Sequence, residues 1–430
     1  MGVYTHEAEV FRTKKALACT YDNEDAKVLG IEHTLMNINL PAIMRVEPAE
    51  DSISFISEGK KYWFDKKGVE DIDALTQAAW KCGHMSVTAI LLNAPRLFGS
   101  RGEKALLDKV IHPDFQWEDP EAFISAFSMN TEEGAAYFRA FIEFLSERYM
   151  RDDAKYGRIT GYIVSNEVDS QRIWGNAGDK TEEEYCKEYT KALHTAWEAS
   201  HKYWEYAQVF LSLDHCWMER FDPFRPLGSY KGRDVVDLVL KYSEEMGGFG
   251  WGIAYHPYPE DLRYPDFYND RKPEFYFDTL QITYKNMEVL HAYLGQEAFL
   301  YQGQRRPIIL SEQGFNSKED EFSEKQGAAA YVLAYEKMKK LPGILWMTNH
   351  AYIDNLREFG LHLGIRARNE DGTPGRKRPI YEAMRAMGTE EEAKWRAWAR
   401  EFIGEALYDQ LEAPVVHECE KDKSQDMEFG

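Results

Sequence analysis

Two glutamates sit in matching settings. In Pro307-Ile308-Ile309-Leu310-Ser311-Glu312-Gln313-Gly314-Phe315 an apolar, β-forming run ends abruptly in polar residues. Glu312 therefore falls at the C-terminal tip of a strand buried on both faces. Ile159-Thr160-Gly161-Tyr162-Ile163-Val164-Ser165-Asn166-Glu167 has the same form and delivers Glu167 to the end of an earlier strand. Parallel barrels carry their chemistry at such tips. Two carboxylates about 5 to 5.5 Å apart, one ionised and one protonated, can divide the work of a retaining double displacement at a glycosidic bond between nucleophile and acid/base.

The elements that must position them follow in order along the chain. Strands are predicted at Ala16–Thr20, Gly30–Leu40, Val87–Asn93, Ile159–Ser165, Val209–His215, Gly252–His256, Ile308–Ser311 and Gly343–Met347. Helical patterns fall between them. Val69–Cys82 has Ile72, Leu75 and Ala79 on one stripe, and a helix opened by Asn130 and Glu133 runs to Tyr149. Further helices are predicted from a Thr181/Glu184 box, at Val235–Met246, at Phe277–Leu294, from a Ser323/Gln326 box to Lys339, and at Ile380–Met387 after Pro379. Eight strands alternating with helices define an α/β fold, a (β/α)8 TIM barrel, rather than a doubly wound sheet with a second domain.

The expected organisation is a lead-in over residues 1–13, a barrel over 14–388 with an inserted hairpin at about 45–68, and a C-terminal helical extension over 389–430. That extension combines an amphipathic helix bearing Trp395, Trp398, Phe402, Ile403 and Leu407 with a polar end lacking apolar pattern, which is expected to be disordered. Long βα-loop insertions at 94–129 and 257–276 would wall the cavity and favour short oligosaccharides and exo-action.

Composition narrows the partners. A formal charge of −21 argues against nucleic acid or an anionic membrane surface, both of which require a basic face. A neutral hydroxylated ligand is electrostatically easier, and 11 Trp with 26 Tyr exceed the needs of a core. No apolar run approaches the roughly 18 residues of a membrane span, and a chain without a secretion signal is expected. Cys19, Cys82, Cys186, Cys216 and Cys419 are odd in number, scattered and without a Cys-x-x-Cys pair, which suits free thiols in a reducing compartment. A cytoplasmic location is expected.

The order of motifs carries a resemblance. Ser165-Asn166-Glu167 after the fourth strand, His256-Pro257-Tyr258 after the sixth, Ser311-Glu312-Gln313-Gly314 after the seventh and Trp346 on the eighth resemble the motif set of clan A retaining glycoside hydrolases over roughly residues 15–388. The resemblance implies Glu167 as acid/base, Asn166 as a ligand of the sugar 2-hydroxyl and Glu312 as nucleophile. It further implies Tyr258 hydrogen-bonded to that nucleophile, His256 framing it, Trp346 as the floor of the −1 subsite, and no cofactor. Three features depart from the better-known families: no Arg is clearly placed on an early strand, the 94–129 loop is unfamiliar, and Asp214-His215-Cys216-Trp217 after strand five is unusual. They point to a branch known only by a domain-of-unknown-function label, so no particular sugar is implied.

His33, Asn37, Asn39 and Asn93 near the tips of strands two and three, His215 and Trp217 after strand five, and Asn349 at the end of strand eight are further candidates for sugar contact. Each has a plainer reading as a satisfied polar group or a packed aromatic. Two other functions stand beside the glycosidase. A non-catalytic carbohydrate-binding barrel would not need both glutamates, and a metal-dependent barrel hydrolase would want a His-x-His pair, which none of the 12 histidines forms. No metal is expected. Transglycosylation shares the covalent intermediate of hydrolysis and stays open, as does oligomeric state.

Overall fold

The computed structural model describes residues 2–21 and 23–419. The barrel strands are β1 (Lys15–Leu17), β2 (His33–Asn39), β3 (Ser86–Leu92), β4 (Ile159–Val164), β5 (Gln208–Leu213), β6 (Gly252–Tyr255), β7 (Ile308–Gln313) and β8 (Ile344–Asn349). They close into one ring in the order β1-β8-β7-β6-β5-β4-β3-β2, with parallel pairing throughout the described registers. Every residue of β3, β4 and β6 is buried, as expected where helices cover a parallel sheet. The longer helices are α1 (Glu24–Leu29), α2 (Lys66–Lys81), α3 (Lys104–Val110), α4 (Glu132–Tyr149), α5 (Glu182–His201), α6 (Gly232–Glu245), α7 (Met287–Tyr293), α8 (Glu321–Lys339), α9 (Pro379–Ala386), α10 (Glu392–Ile403) and α11 (Glu405–Glu412). The predicted (β/α)8 barrel is the observed one.

One compact unit comprises Leu35–Asp214, Arg220–Ala254 and the N-terminal segment through Val10. Phe138, Phe141, Ile142 and Leu145 of α4 recur at helical spacing and are buried there. The expected hairpin forms as Ile53–Ser57 against Lys60–Phe64, joined by Met44–Arg45 as a third strand. Its Phe64 ring stacks on Phe144 with centroids 3.8 Å apart. α5 opens with the predicted capping box, Thr181 and Glu184 each bonding the other's backbone.

The second unit comprises, among the described residues, Phe11–Thr34, His215–Glu219 and 255–419. There the buried guanidinium of Arg378 donates to Asp354 at 2.7 Å and reaches Glu324 of α8 at 3.3 Å. A buried charge is tolerated when it is paired and hydrogen-bonded in this way.

Several boundaries differ from expectation, each because a different hydrogen bond is made. The helix expected over Phe277–Leu294 forms only from Met287, because the preceding segment bonds elsewhere. Leu280 O accepts from Trp217 N–H at 2.9 Å, Gln281 bridges Cys216, and Asn286 Nδ2 holds Gln281 O at 3.0 Å. Thr131, not Asn130, caps α4 by accepting from Gly134 N–H. Asp320, not Ser323, caps α8. The C-terminal amphipathic pattern is split between α10 and α11 at Gly404, whose φ of 101° favours glycine. The polar end from 420 lies outside the described residues. The 94–129 excursion is not structureless, since it contains α3.

Candidate active site

Glu312 owes its placement to an irregularity in β7. Pairing with β8 joins Ile308 to Ile344, Leu310 to Met347 and Gln313 to Asn349, so the register shifts on either side of Leu310. Between Leu310 and Gln313, β7 uses one more residue than its neighbour, and Glu312 lies in that bulge. Bulges re-aim side chains in this manner. The strand continues through Gln313 rather than ending before Glu312. Gly314 then permits a close approach: a Cβ there would meet His350 O at 2.3 Å. Gln313 O accepts from His350 N–H at 2.6 Å, which seats His350 beside β7.

The Glu312 carboxylate accepts from Tyr258 Oη–H at 2.8 Å through Oε1. Burial alone would raise its pKa, but the charges of His350 and His256 and the Tyr258 hydroxyl outweigh burial and hold the carboxyl below its ordinary value. His350 responds reciprocally. Burial would depress it, yet Glu312, followed by Glu358 at 3.2 Å from its Nε2, pushes it up to about 9. Both shifts favour an ionised carboxylate beside a protonated imidazole at neutral pH. His350 was not among the residues singled out from sequence; the polar run Thr348-Asn349-His350 ending a buried strand was the available signal.

Glu167 stands on a turn built differently. Ser165 and Glu167 both have left-handed backbones, with φ of 67° and 34°, a conformation that costs energy for residues with a Cβ and persists where surrounding bonds impose it. Those bonds are present. Ser165 Oγ donates to Trp174 O at 2.7 Å, and Glu167 N–H donates to Ser212 Oγ of β5 at 2.9 Å. Glu167 O accepts from Ser170 N–H at 2.8 Å. Asn166 and Glu167 are half-buried, while Ser165 and the following Val168–Ser170 are buried.

The other sequence candidates separate clearly. His256 and Tyr258 lie with Glu312. His33 and Trp346 stack on each other with centroids 3.7 Å apart, and the Phe11 ring meets both edge-on. His33 and Trp346 are each about 1% exposed, and burial pushes His33 down to about 3. The structure thus places these two sequence candidates against each other and against Phe11, within the packed interior. Trp217 is likewise fully buried, its indole N–H donating to Phe277 O at 2.8 Å. Asn93 ties the 94–129 excursion by donating to Val110 O and Ala126 O at 2.8 and 3.0 Å. Asn39 does the same at Ala94 O. Asn349 Oδ1 accepts from Gln313 Nε2 at 3.3 Å and so braces β7 against β8. All three amides thus make hydrogen bonds within the fold, Asn93 and Asn39 to backbone carbonyls and Asn349 to the Gln313 side chain. Asn37 is exposed. His215 is buried, and its carbonyl accepts from Ile282 N–H at 3.0 Å.

Among the described residues no cluster of three or more His, Cys, Asp or Glu side chains is arranged to hold a metal ion, and no helix is long and apolar enough to cross a membrane.

Fold and site together define the class: a (β/α)8 barrel with glutamates at the C-terminal ends of β4 and β7. Solved structures of similar fold include a family 39 glycoside hydrolase from Bacteroides cellulosilyticus WH2, at 14% identity and TM-score 0.52 over 88% of this chain and 64% of that one. A monomeric beta-xylosidase from Caulobacter crescentus CB15 matches at 14% identity and TM-score 0.50 over 87% of this chain and 67% of that one. A beta-glucosidase from Thermotoga maritima matches at 11% identity and TM-score 0.52, over 87% and 86% of the two chains. The chain thus spans less than two thirds of the Bacteroides enzyme's length. Comparison with curated proteins found no match. Within this class the chain belongs to the family of unknown function DUF5722, whose model matches residues 7–411.

Proposed function

We propose that the chain is a retaining O-glycoside hydrolase acting on a neutral oligosaccharide or glycoside, with Glu312 as nucleophile and Glu167 as acid/base. The observation that carries this reading is the setting of Glu312, a carboxylate kept ionised despite burial by one hydroxyl at 2.8 Å and two imidazoles. A structural glutamate needs no such set. Glu167, on a strained turn held by Ser212, supplies a second carboxyl of independent environment, and separate environments are how two carboxyls acquire separate roles. The glycosidases among the structures of similar fold agree with this reading. Glu312 would attack the anomeric carbon while Glu167 protonates the departing oxygen; Glu167 would then deprotonate the water that releases the sugar. An acceptor alcohol in place of water would give transglycosylation. Asn166, beside Glu167 and half-buried, is proposed to bind a sugar hydroxyl. An intracellular role on imported short sugars fits the free cysteines.

The test is a panel of aryl glycosides and oligosaccharides against the wild type, Glu312→Ala and Glu167→Ala. Glu312→Ala loses nearly all activity on every substrate. Glu167→Ala loses about 10²- to 10⁴-fold on natural leaving groups and much less on dinitrophenyl glycosides, which depart without a proton. Full activity of both variants on a substrate that the wild type cleaves would refute the assignment.

A further inference from the structure

A cavity of about 120 Å³ is shared by three loops that follow barrel strands. Glu121 comes from the loop after β3, Ser170 and Arg172 from the loop after β4, and Phe221, Asp222 and Arg225 from the loop after β5. A single water needs only about 10–15 Å³, so the space suits a small organic unit. Hydrogen bonds weld the loops around it. Arg172 donates to Asp119 Oδ1 at 2.9 Å and to the Glu121 carboxylate, both of the 94–129 excursion. Its backbone N–H donates to Gly228 O at 2.9 Å. The chains come this close because residue 228 is glycine: a Cβ there would meet Arg172 Cβ at 2.9 Å.

The β5 loop, Phe221-Asp222-Pro223-Phe224-Arg225-Pro226-Leu227-Gly228, is closed on itself. Asp222 Oδ1 accepts from Phe224 N–H at 3.0 Å, Ser229 Oγ accepts from Asp222 N–H at 3.0 Å, and Arg225 O accepts from the N–H groups of Gly228 and Ser229, each at 3.0 Å. Gln171 Nε2 of the β4 loop holds Leu227 O at 3.0 Å. On this fixed turn Phe221 and Phe224 stay 59% and 91% exposed. Single exposed apolar residues are ordinary, but a ring held on a pre-bonded turn in the wall of a cavity is a platform whose ordering cost is already met. The charges around the cavity balance, Arg172 and Arg225 against Glu121 and Asp222, and Arg172 is already paired. No net charge selects an ion. Donors, acceptors and one aromatic face together match a neutral hydroxylated ring, with its C–H face on Phe221 and its hydroxyls toward Arg225 and Asp222.

We infer that this cavity, resting on the glycosidase reading, is a leaving-group subsite that holds a neutral sugar unit on Phe221, with Arg225 and Asp222 as hydroxyl partners. Ser170 ties it to the chemistry. Its N–H donates to Glu167 O at 2.8 Å, so the cavity wall and the Glu167 turn are one piece of chain. An acid/base protonates the departing oxygen, and the unit that departs lies beside the turn that carries the acid.

Phe221→Ala and Arg225→Ala test the site. Both side chains are more than half exposed, and the turn is bonded through the backbone of Arg225, so the fold survives either change. Binding is read by saturation-transfer NMR with cellobiose, xylobiose, lactose, maltose and mannobiose against the full chain carrying Glu312→Gln. At least one of these binds, and its Kd rises about 3- to 10-fold when either substitution is added. Inorganic phosphate does not displace it. Catalysis gives a second reading in the otherwise wild-type chain. On an oligosaccharide that the wild type cleaves, kcat/KM falls by about the same 3- to 10-fold in each variant. On the glycosyl fluoride of the same sugar, whose leaving group fills no subsite, it stays within about twofold. Absence of binding by every sugar of the set, an unchanged Kd in either variant, displacement by phosphate, or equal losses on oligosaccharide and fluoride overturns the inference. The glycosidase reading is tested separately by Glu312→Gln and Glu167→Gln on aryl glycosides. Were both fully active, that reading would fall while the binding data still decided whether the cavity takes a sugar.

Discussion

Replacing Tyr258 by Phe removes one oxygen and, with it, the 2.8 Å hydrogen bond to Glu312. A hydrogen bond to a charged group is worth about 1.5 to 3 kcal/mol, and one pKa unit corresponds to about 1.4 kcal/mol, so a shift of roughly one to two units is available. The charges of His350 and His256 remain in the variant, which favours the lower end, about one unit. The direction is upward. In the wild type the native carboxyl titrates below its ordinary value near 4.5. The stabilisation from the bond is therefore complete above that pH and is lost as pH falls through the native value. The assay is kcat/KM against pH for a glycoside found in the panel above. Its acidic limb moves up by about one unit in Tyr258→Phe, so that at pH below the native value the variant trails the wild type by up to about tenfold more than it does at neutral pH. Circular dichroism at the same pH separates this from unfolding. A limb that stays in place, or moves down, in a folded variant refutes the view that Tyr258 stabilises the ionised nucleophile.

Two further outcomes follow from the same structure. His350 titrates at about 9 in the native state, above the free imidazole near 6.5. Its contribution to stability is thus full below about pH 6.5 and lost as pH rises through 9; the thermal midpoint falls over that interval in the wild type and falls less in His350→Gln. Trp346→Phe leaves space beside His33 and Phe11 and destabilises the fold by about 1 to 3 kcal/mol in denaturant unfolding. KM for the panel substrate stays within about twofold of wild type, since the ring is proposed to pack and not to bind. A many-fold rise in KM without loss of stability would restore Trp346 as a sugar platform.

The strands were legible because burial on both faces leaves a continuous apolar run in the chain, as in Ile308-Ile309-Leu310 and Tyr162-Ile163-Val164. Thr181 and Glu184 were legible because a capping box depends on residues three apart and on nothing distant. Glu312, Tyr258 and His256 were legible as a set because they stand at the ends of two core strands, His256 and Tyr258 just after β6 and Glu312 in the last residues of β7, and the structure puts them together. The helix over 277–286 was misjudged because its backbone partners come from Trp217 and Cys216, some 60 residues earlier. No local pattern carries that information.

Side-chain fate divides in the same way. Residue type and place near a strand end marked His33, Asn93, Trp217 and Asn349 as suited to sugars, and the motif resemblance marked Trp346, but nothing in the chain said which side chains would face inward. Only the tertiary structure stacks His33 on Trp346, spends the Asn93 amide on Val110 O and Ala126 O, and sets His350 against Glu312. The sequence by itself determined the barrel and the strand ends that carry the two glutamates, because these rest on period and burial along the chain. Which polar groups remain open, and which carboxyl is held ionised, depends on charges and hydrogen bonds between residues far apart in sequence, and that only the folded chain decides.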